Sequence, residues 1–472
     1  MHMNNIAQAI FREYDIRGEY PSQLNEQTAQ LIGLALGSEI IQAGQQQCYV
    51  AWDGRLSSPS LRDALVSGIC STGCNVNLIG ACPTAVAFWT IKHNGQSCAM
   101  ITGSHNPKQD NGIKIAVAGT PRSGEDIQVL LSRIKLNLFK SGQGHINDAS
   151  HLVDDYQQRL TQALTLKRPL KVVLDAGNGI GGPMASDALK KMGAQVIEIA
   201  CKVDGNFPLH HPDPAKLKNL KWLQDSVKHH QADLGIALDG DADRLGVVDH
   251  TGQAILPDRL SLLFIEDILK SQGEQTILFD VKCTELLSTF TKQWGGHPKM
   301  IATGHTSMKR AIKETGAAFA TELSGHILFN DEDGVGVDDG IYAGLRLCHL
   351  VSQTPESLHT RLSAFPNPSA TEEIQIPVNE DDKFSIMNIL QSNCFADQDV
   401  TRIDGLRVRF DTGWVLVRAS NTTPCLTVRF EANQAKALGP LIELTIAQLH
   451  NHVPQLNLTE LQALAQEPSC AH

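Results

Sequence analysis

Three aspartates stand at alternate positions in Asp239-Gly240-Asp241-Ala242-Asp243, separated only by small residues. Such spacers let a tight loop aim all three carboxylates at one point. Charges that close repel unless a cation sits among them, and hard oxygens suit Mg²⁺ or Ca²⁺. The loop is too short for an EF-hand, which also needs a closing glutamate. Alone, this run reads as an acidic surface turn; placed between two apolar strands, it reads as a metal site. A second loop, Thr102-Gly103-Ser104-His105-Asn106-Pro107, centres a serine among turn formers. Its Ser and Asn could be simple local caps, or Ser104 could be a nucleophile or phosphate carrier. A hydrolase elbow requires Gly-x-Ser-x-Gly, which is not present here. Phosphoryl transfer beside a charge-neutralising metal fits better.

Two further loops are weaker taken singly. Arg418-Ala-Ser420-Asn421-Thr422-Thr423-Pro424 offers a guanidinium fork, hydroxyls and loop N–H groups, a set suited to phosphate or to a salt-bridged arginine with a capped turn. Glu322-Leu-Ser324-Gly-His326 offers an acceptor and a hydroxyl two residues apart, suited to paired sugar hydroxyls or to a satisfied polar turn.

The elements that must position these loops recur three times. Tyr49–Asp53, Lys171–Asp175 and Thr276–Asp280 are short apolar runs ending in Asp. Each leads through a helical stretch to a glycine stop and another strand, at Val76–Ile79, Gln195–Ile199 and Lys299–Ile301. A later strand in each copy, Cys98–Thr102, Leu234–Leu238 and Ala317–Thr321, runs straight into one of the polar loops. The pattern predicts three related α/β domains with mixed, largely buried sheets, their ligand loops at strand ends. From about residue 368 the reading changes to a C-terminal α+β domain. Strands are expected at Thr371–Ile376, Arg407–Phe410, Trp414–Ala419 and Leu426–Glu431, and helices at Asp381–Gln391 and Ala435–Leu449. Leu456–His472 reads as a surface helix with a frayed end. The expected domains are 1–150, 151–254, 255–367 and 368–472, with Pro366-Asn-Pro368 the clearest linker.

A chain of 472 residues suggests about three domains by length alone. Its 42% hydrophobic and 19% charged residues exclude a disordered chain. The net charge of −11 disfavours nucleic acid and anionic membranes as partners, leaving room for a local basic pocket. No apolar run spans a bilayer, and the first residues lack a secretory pattern. Eleven cysteines without a CxxC zinc pattern suggest free thiols in the cytoplasm. A monomer is expected.

Taken in order, the loops resemble the α-D-phosphohexomutase superfamily, and most closely its bacterial phosphomannomutase/phosphoglucomutase branch. Phe11-Arg-Glu-Tyr14-Asp-Ile-Arg17-Gly18 resembles the N-terminal signature, and Gly103–Pro107 the phosphoserine loop. Asp239–Arg244 resembles the magnesium loop, Thr321–His326 the sugar loop and Arg418–Pro424 the phosphate loop. Gly205-Asn206-Phe207-Pro208 and His211-Pro212-Asp213-Pro214 also match. Gly103, Thr321 and Leu323 stand where the family usually has Ala, Gly and Met, which leaves sugar preference open.

The resemblance implies a phosphohexomutase working through a phosphoserine and a hexose 1,6-bisphosphate. Ser104 would carry the phosphoryl group, with Mg²⁺ held by Asp239, Asp241, Asp243 and a Ser104 phosphate oxygen. Arg418, Ser420, Asn421, Thr422 and Thr423 would dock the substrate phosphate. Glu322, Ser324 and His326 would meet the sugar, with Tyr14 and His305 nearby. Lys114 and His105 would move protons, and Arg17 and Arg244 would stabilise charge. A phosphoglucosamine mutase is the nearest alternative, though that branch typically carries Gly at the place of Asn421. A metal-dependent sugar-phosphate phosphatase and a non-catalytic sugar-phosphate sensor remain the others.

Overall fold

The computed structural model describes residues 6–162, 164–331, 334–421 and 423–466. The threefold repeat is real and extends to sheet topology. In the first sheet Gln47–Trp52 lies between two parallel neighbours, Asn75–Ala81 and Ser97–Ile101. Ser97–Ile101 then turns back, antiparallel, into Asp110–Val117. The second sheet repeats this with Lys171–Asp175 between Gln195–Ile199 and Leu234–Leu238, and Leu245–Asp249 returning. In the third, Thr276–Asp280 lies between His297–Ile301 and Phe319–Thr321, with Ile327–Phe329 returning. The functional loops are therefore the hairpin turns that follow the same strand in each copy. Ser97–Ile101 and Leu234–Leu238 are buried at every position, which explains their unbroken apolar sequence.

The Asp at the end of the central strand of each copy, one residue past it in the first, has one shared task. Asp53, Asp175 and Asp280 are buried, and each accepts a hydrogen bond from the backbone N–H two residues on: Arg55, Gly177 and Lys282. Each carboxylate thus shapes the turn that leaves its strand.

The fourth sheet is antiparallel, running Ser369–Ala370, Cys425–Ala432, Gly413–Ala419, Leu406–Phe410 and Asp399–Thr401. The expected continuous strand Thr371–Ile376 is broken. Ala370 faces Glu431 and Ile374 faces Val428, so three residues oppose two across the ladder. This is a β-bulge, which bends the strand and redirects its side chains. Helices occupy Lys383–Asn393 and Leu438–His452. The C-terminal helix, Thr459–Gln466, is not a mere surface feature: Leu456, Leu458 and Leu461 enter the fourth sheet's core. The expected frayed end at 467–472 lies outside the described residues.

One continuous apolar core runs from Ala51 to Leu362 and joins the first three sheets. The fourth sheet has its own core, and meets the third chiefly through the small cluster Val281, Trp414 and Leu416. Polar contacts complete that junction. Arg407 lies 3.9 Å from the Trp414 ring centre and donates to the carbonyls of Val281 and Cys283.

Candidate active site

The four sheets surround a cavity of about 450 Å³. Its wall includes Tyr14, Arg17, Ser104, His105, Lys114, Arg244, His305, Glu322, Ser324, His326, Arg418, Ser420, Asn421 and Thr423. Residues separated by hundreds of positions are thus brought together. Thr422 lies outside the described residues.

Ser104 sits in the turn between Ser97–Ile101 and Asp110–Val117 with φ of 47°, a left-handed conformation costly for a residue with a Cβ. That backbone turns its hydroxyl out of the first sheet and toward the second. Ser104 Oγ donates to Asp239 Oδ2 at 2.8 Å and lies 3.2 Å from His105 Nδ1. Burial, followed by the charges of Arg244 and Arg17, pushes the His105 imidazole well below its usual range. It is therefore neutral near pH 7.

Asp239, Asp241 and Asp243 are all fully buried, and ligand atoms from the three lie within 4.8 Å of one another. Burial and then the charges of Asp241 and Asp243 raise the Asp239 carboxyl well above its ordinary range. Burial works the same way on Asp241, but Lys114 and Thr84 outweigh it and hold that carboxylate low. Lys114 Nζ donates to Asp241 Oδ2 at 2.7 Å and also to Asp243 Oδ2. Although burial opposes its charge, these two carboxylates raise the Lys114 pKa. Asp241 Oδ1 and Asp243 Oδ1 have no hydrogen-bond partner. Two unsatisfied, fully buried carboxylate oxygens beside a third acid suit a hard divalent cation.

The sugar-loop residues face this centre from the third sheet. Glu322 accepts from Gly304 N–H and, at 3.0 Å, from the Ser324 hydroxyl. Arg244 Nε donates to His326 Nε2 at 3.1 Å, leaving His326 Nδ1 3.3 Å from Asp338 Oδ2. His305 stacks on His326 with ring centres 5.6 Å apart. Gly304 is required here: at φ of 126° its place for a Cβ lies 2.5 Å from the Tyr14 ring. Of the two unusual residues in this loop, Leu323 lines the cavity, whereas Thr321 is buried beneath it against Ser261.

On the opposite wall, Arg418 is held by Asp404, with Nε donating at 3.1 Å. Ser420 and Thr423 hydroxyls lie 2.8 Å apart, and Thr423 N–H donates to Ser420 Oγ at 3.2 Å. Asn421 donates to Tyr14 Oη, which itself donates to the Thr303 carbonyl at 2.7 Å. The first, third and fourth sheets therefore meet at Tyr14.

Several residues in or behind the wall were not anticipated from sequence. Lys282 is buried and its Nζ lies 3.4 Å from Glu373, the residue that the bulge turns inward. Burial opposes the Lys282 charge, but Glu373 and Asp280 raise its pKa. A signal existed: Lys282 stands two residues past Asp280, as Arg55 stands past Asp53. Asp404 and Asp338 carried no such signal, since each acts by meeting a residue distant in the chain.

Similarity to known proteins agrees with this geometry. Models for phosphoglucomutase/phosphomannomutase alpha/beta/alpha domains I, II and III match residues 8–140, 153–252 and 256–368, and the model for the C-terminal domain matches 373–445. A Pseudomonas putida phosphomannomutase/phosphoglucomutase is 43% identical over 452 residues, 95% of this chain and 97% of its own. A Neisseria meningitidis phosphoglucomutase is 40% identical over 442 residues, 92% of this chain and 95% of its own. The crystal structure of a phosphoglucomutase/phosphomannomutase family protein from Burkholderia thailandensis superposes with a TM-score of 0.91 at 38% identity, over 96% of this chain and 99% of that one. With all four domain models in order and full-length relatives above 40% identity, the chain belongs to the phosphoglucomutase/phosphomannomutase family.

Proposed function

We propose that this protein is a phosphohexomutase that interconverts hexose 1-phosphate and hexose 6-phosphate, accepting glucose and mannose phosphates. One observation carries the reading. Ser104 Oγ touches the acidic loop at one side of a cavity whose other side is the Arg418–Thr423 loop. A sugar phosphate seated in that loop presents its free hydroxyl toward Ser104.

In this reading Ser104 carries a phosphoryl group. The substrate hydroxyl forms a new O–P bond as the Ser104 Oγ–P bond breaks, giving a hexose 1,6-bisphosphate. The bisphosphate turns end for end, and its other phosphoryl group returns to Ser104. The same wall must hold either phosphate, which suits one arginine with mobile hydroxyls better than a rigid cage. His105, neutral and beside Oγ, suits accepting the Ser104 proton when that hydroxyl attacks on the return step and handing it back when Oγ leaves, with Lys114 exchanging the proton of the sugar hydroxyl. Arg17 and Arg244 approach the same centre and oppose the charge that builds there. Glu322 and Ser324 offer the acceptor and hydroxyl for ring hydroxyls.

Asp239, Asp241 and Asp243, with a Ser104 phosphate oxygen, would hold Mg²⁺. Bound there, such an ion neutralises charge on the transferring group and loosens the hold of two carboxylates on Lys114. A relative named for both sugars supports the wider substrate range, whereas another is named for glucose alone. The phosphatase alternative finds no support in a site with a second phosphate loop across the cavity.

The test is product analysis with glucose 1-phosphate, mannose 1-phosphate and glucosamine 1-phosphate. Hexose 6-phosphate should accumulate from the first two, without stoichiometric free phosphate. Ser104→Ala or chelation of divalent ions should each lower turnover at least ~10³-fold. Dominant phosphate release, or full turnover by Ser104→Ala, would overturn the reading.

A further inference from the structure

Arg55 is buried, yet it lines no part of the cavity and takes no part in the chemistry above. Its guanidinium is wrapped by the serine loop. Nη1 donates to the carbonyls of Pro107 and Asp110 at 2.6 and 2.9 Å. Nη2 donates to the carbonyls of Ser104 and Asn106, both at 2.7 Å. Four main-chain carbonyls of one turn therefore converge on one cation. Asp53, 3.2 Å from Arg55 Nε, completes the arrangement. It accepts from Thr102 Oγ1 at 2.8 Å, and Thr102 Oγ1 accepts from the Ser104 N–H at 2.8 Å. Gly103 leaves room for this, since a Cβ there would lie 2.5 Å from the guanidinium.

A lid from the second sheet closes the arrangement. The Phe207 ring lies 5.0 Å from Arg55 Cζ. Gly205 brings that segment so near that a Cβ would sit 2.6 Å from the Gly54 carbonyl. The motif Gly205-Asn206-Phe207-Pro208 therefore finds its place over the guanidinium.

We propose that Arg55, covered by Phe207, is the positioning residue that keeps Ser104 in its left-handed conformation with its hydroxyl aimed at the metal loop. The proposal rests on Ser104 being the phosphoryl carrier. An arginine is needed because a planar fork reaches four acceptors at once, whereas an ammonium concentrates its donors at one point. Substrate contacts lie elsewhere, so the effect belongs in kcat and not in KM.

The experiment compares Arg55→Lys, which preserves charge, with wild type at a temperature where circular dichroism shows both fully folded. Steady-state kinetics with glucose 1-phosphate are paired with mass spectrometry of Ser104 phosphorylation by glucose 1,6-bisphosphate. A misplaced reacting group should lower kcat about 100-fold, leave KM within about threefold, and slow Ser104 phosphorylation in proportion. Unchanged kcat and phosphorylation rate, or a loss carried by KM, overturns the proposal. Phe207→Ala, at the edge of the arrangement, gives a second decision independent of whether Arg55→Lys folds. Its kcat should fall several-fold at constant KM, and an unaltered kcat likewise overturns the proposal. If wild-type Ser104 takes up no phosphoryl group at all, it is the carrier reading that fails instead.

Discussion

His305 shows how one buried side chain ties the cavity to pH. Both ring nitrogens are buried without a hydrogen-bond partner. Burial, then the charges of Lys309 and Lys114, pushes its imidazole well below the usual range. The folded protein thus holds His305 neutral where the unfolded chain, with a histidine pKa near ~6.5, takes up a proton. Protons binding only the unfolded state lower stability as pH falls, here by at most ~1.4 kcal/mol per pH unit below about 6.5. His105 shifts in the same direction. His305→Gln should therefore remove part of the loss in melting temperature between pH 7.5 and 5.5. An unchanged pH slope in differential scanning calorimetry would show that His305 is not the group responsible.

At the scale of elements, the C-terminal helix Thr459–Gln466 is an integral part of the fourth domain. Leu461 is fully buried in that domain's core. Leu461→Ala should cost about 2–5 kcal/mol. Because the fourth sheet's core is separate from the one shared by the first three, the loss should fall on the fourth domain. Hydrogen exchange should quicken in Cys425–Ala432 and Leu438–His452 and leave Leu234–Leu238 protected. Uniform acceleration across all four sheets would contradict that separation. The bulge at 371–373 belongs to the same scale. Composition reads Thr371–Ile376 as one strand, and the extra residue emerges only from pairing with Cys425–Ala432.

For the molecule as a whole, charge is distributed against its net value. The chain carries −11, yet the described residues lining the cavity include eight Lys or Arg against five Asp or Glu, the three aspartates of the acidic loop lying buried behind that lining. An anionic substrate approaches an acidic protein and enters a basic cleft, so attraction is short-ranged and screened by salt. Between about 0.05 and 0.5 M salt, kcat/KM should fall roughly tenfold while kcat changes less than about twofold. A kcat/KM indifferent to salt would argue that the cleft gives no electrostatic attraction. No helix among the described residues is long and apolar enough to cross a bilayer.

Much of the site was legible in the sequence because its chemistry lies in short contiguous loops. Asp239-Gly-Asp-Ala-Asp243 and Gly103-Ser104-His105 carry their residue types and spacing within a few positions, and the strands before them are apolar enough to be recognised. The threefold repeat was legible for the same reason, since each copy is a local βαβ unit. What folding alone settled is everything that depends on meeting at a distance. Lys114 clasps Asp241 and Asp243, Asp404 steadies Arg418, Tyr14 joins Asn421, and four carbonyls close on Arg55. No local pattern encodes such pairs, because each partner's role arises only when separate sheets bring buried charges within a few ångströms and burial makes those charges count.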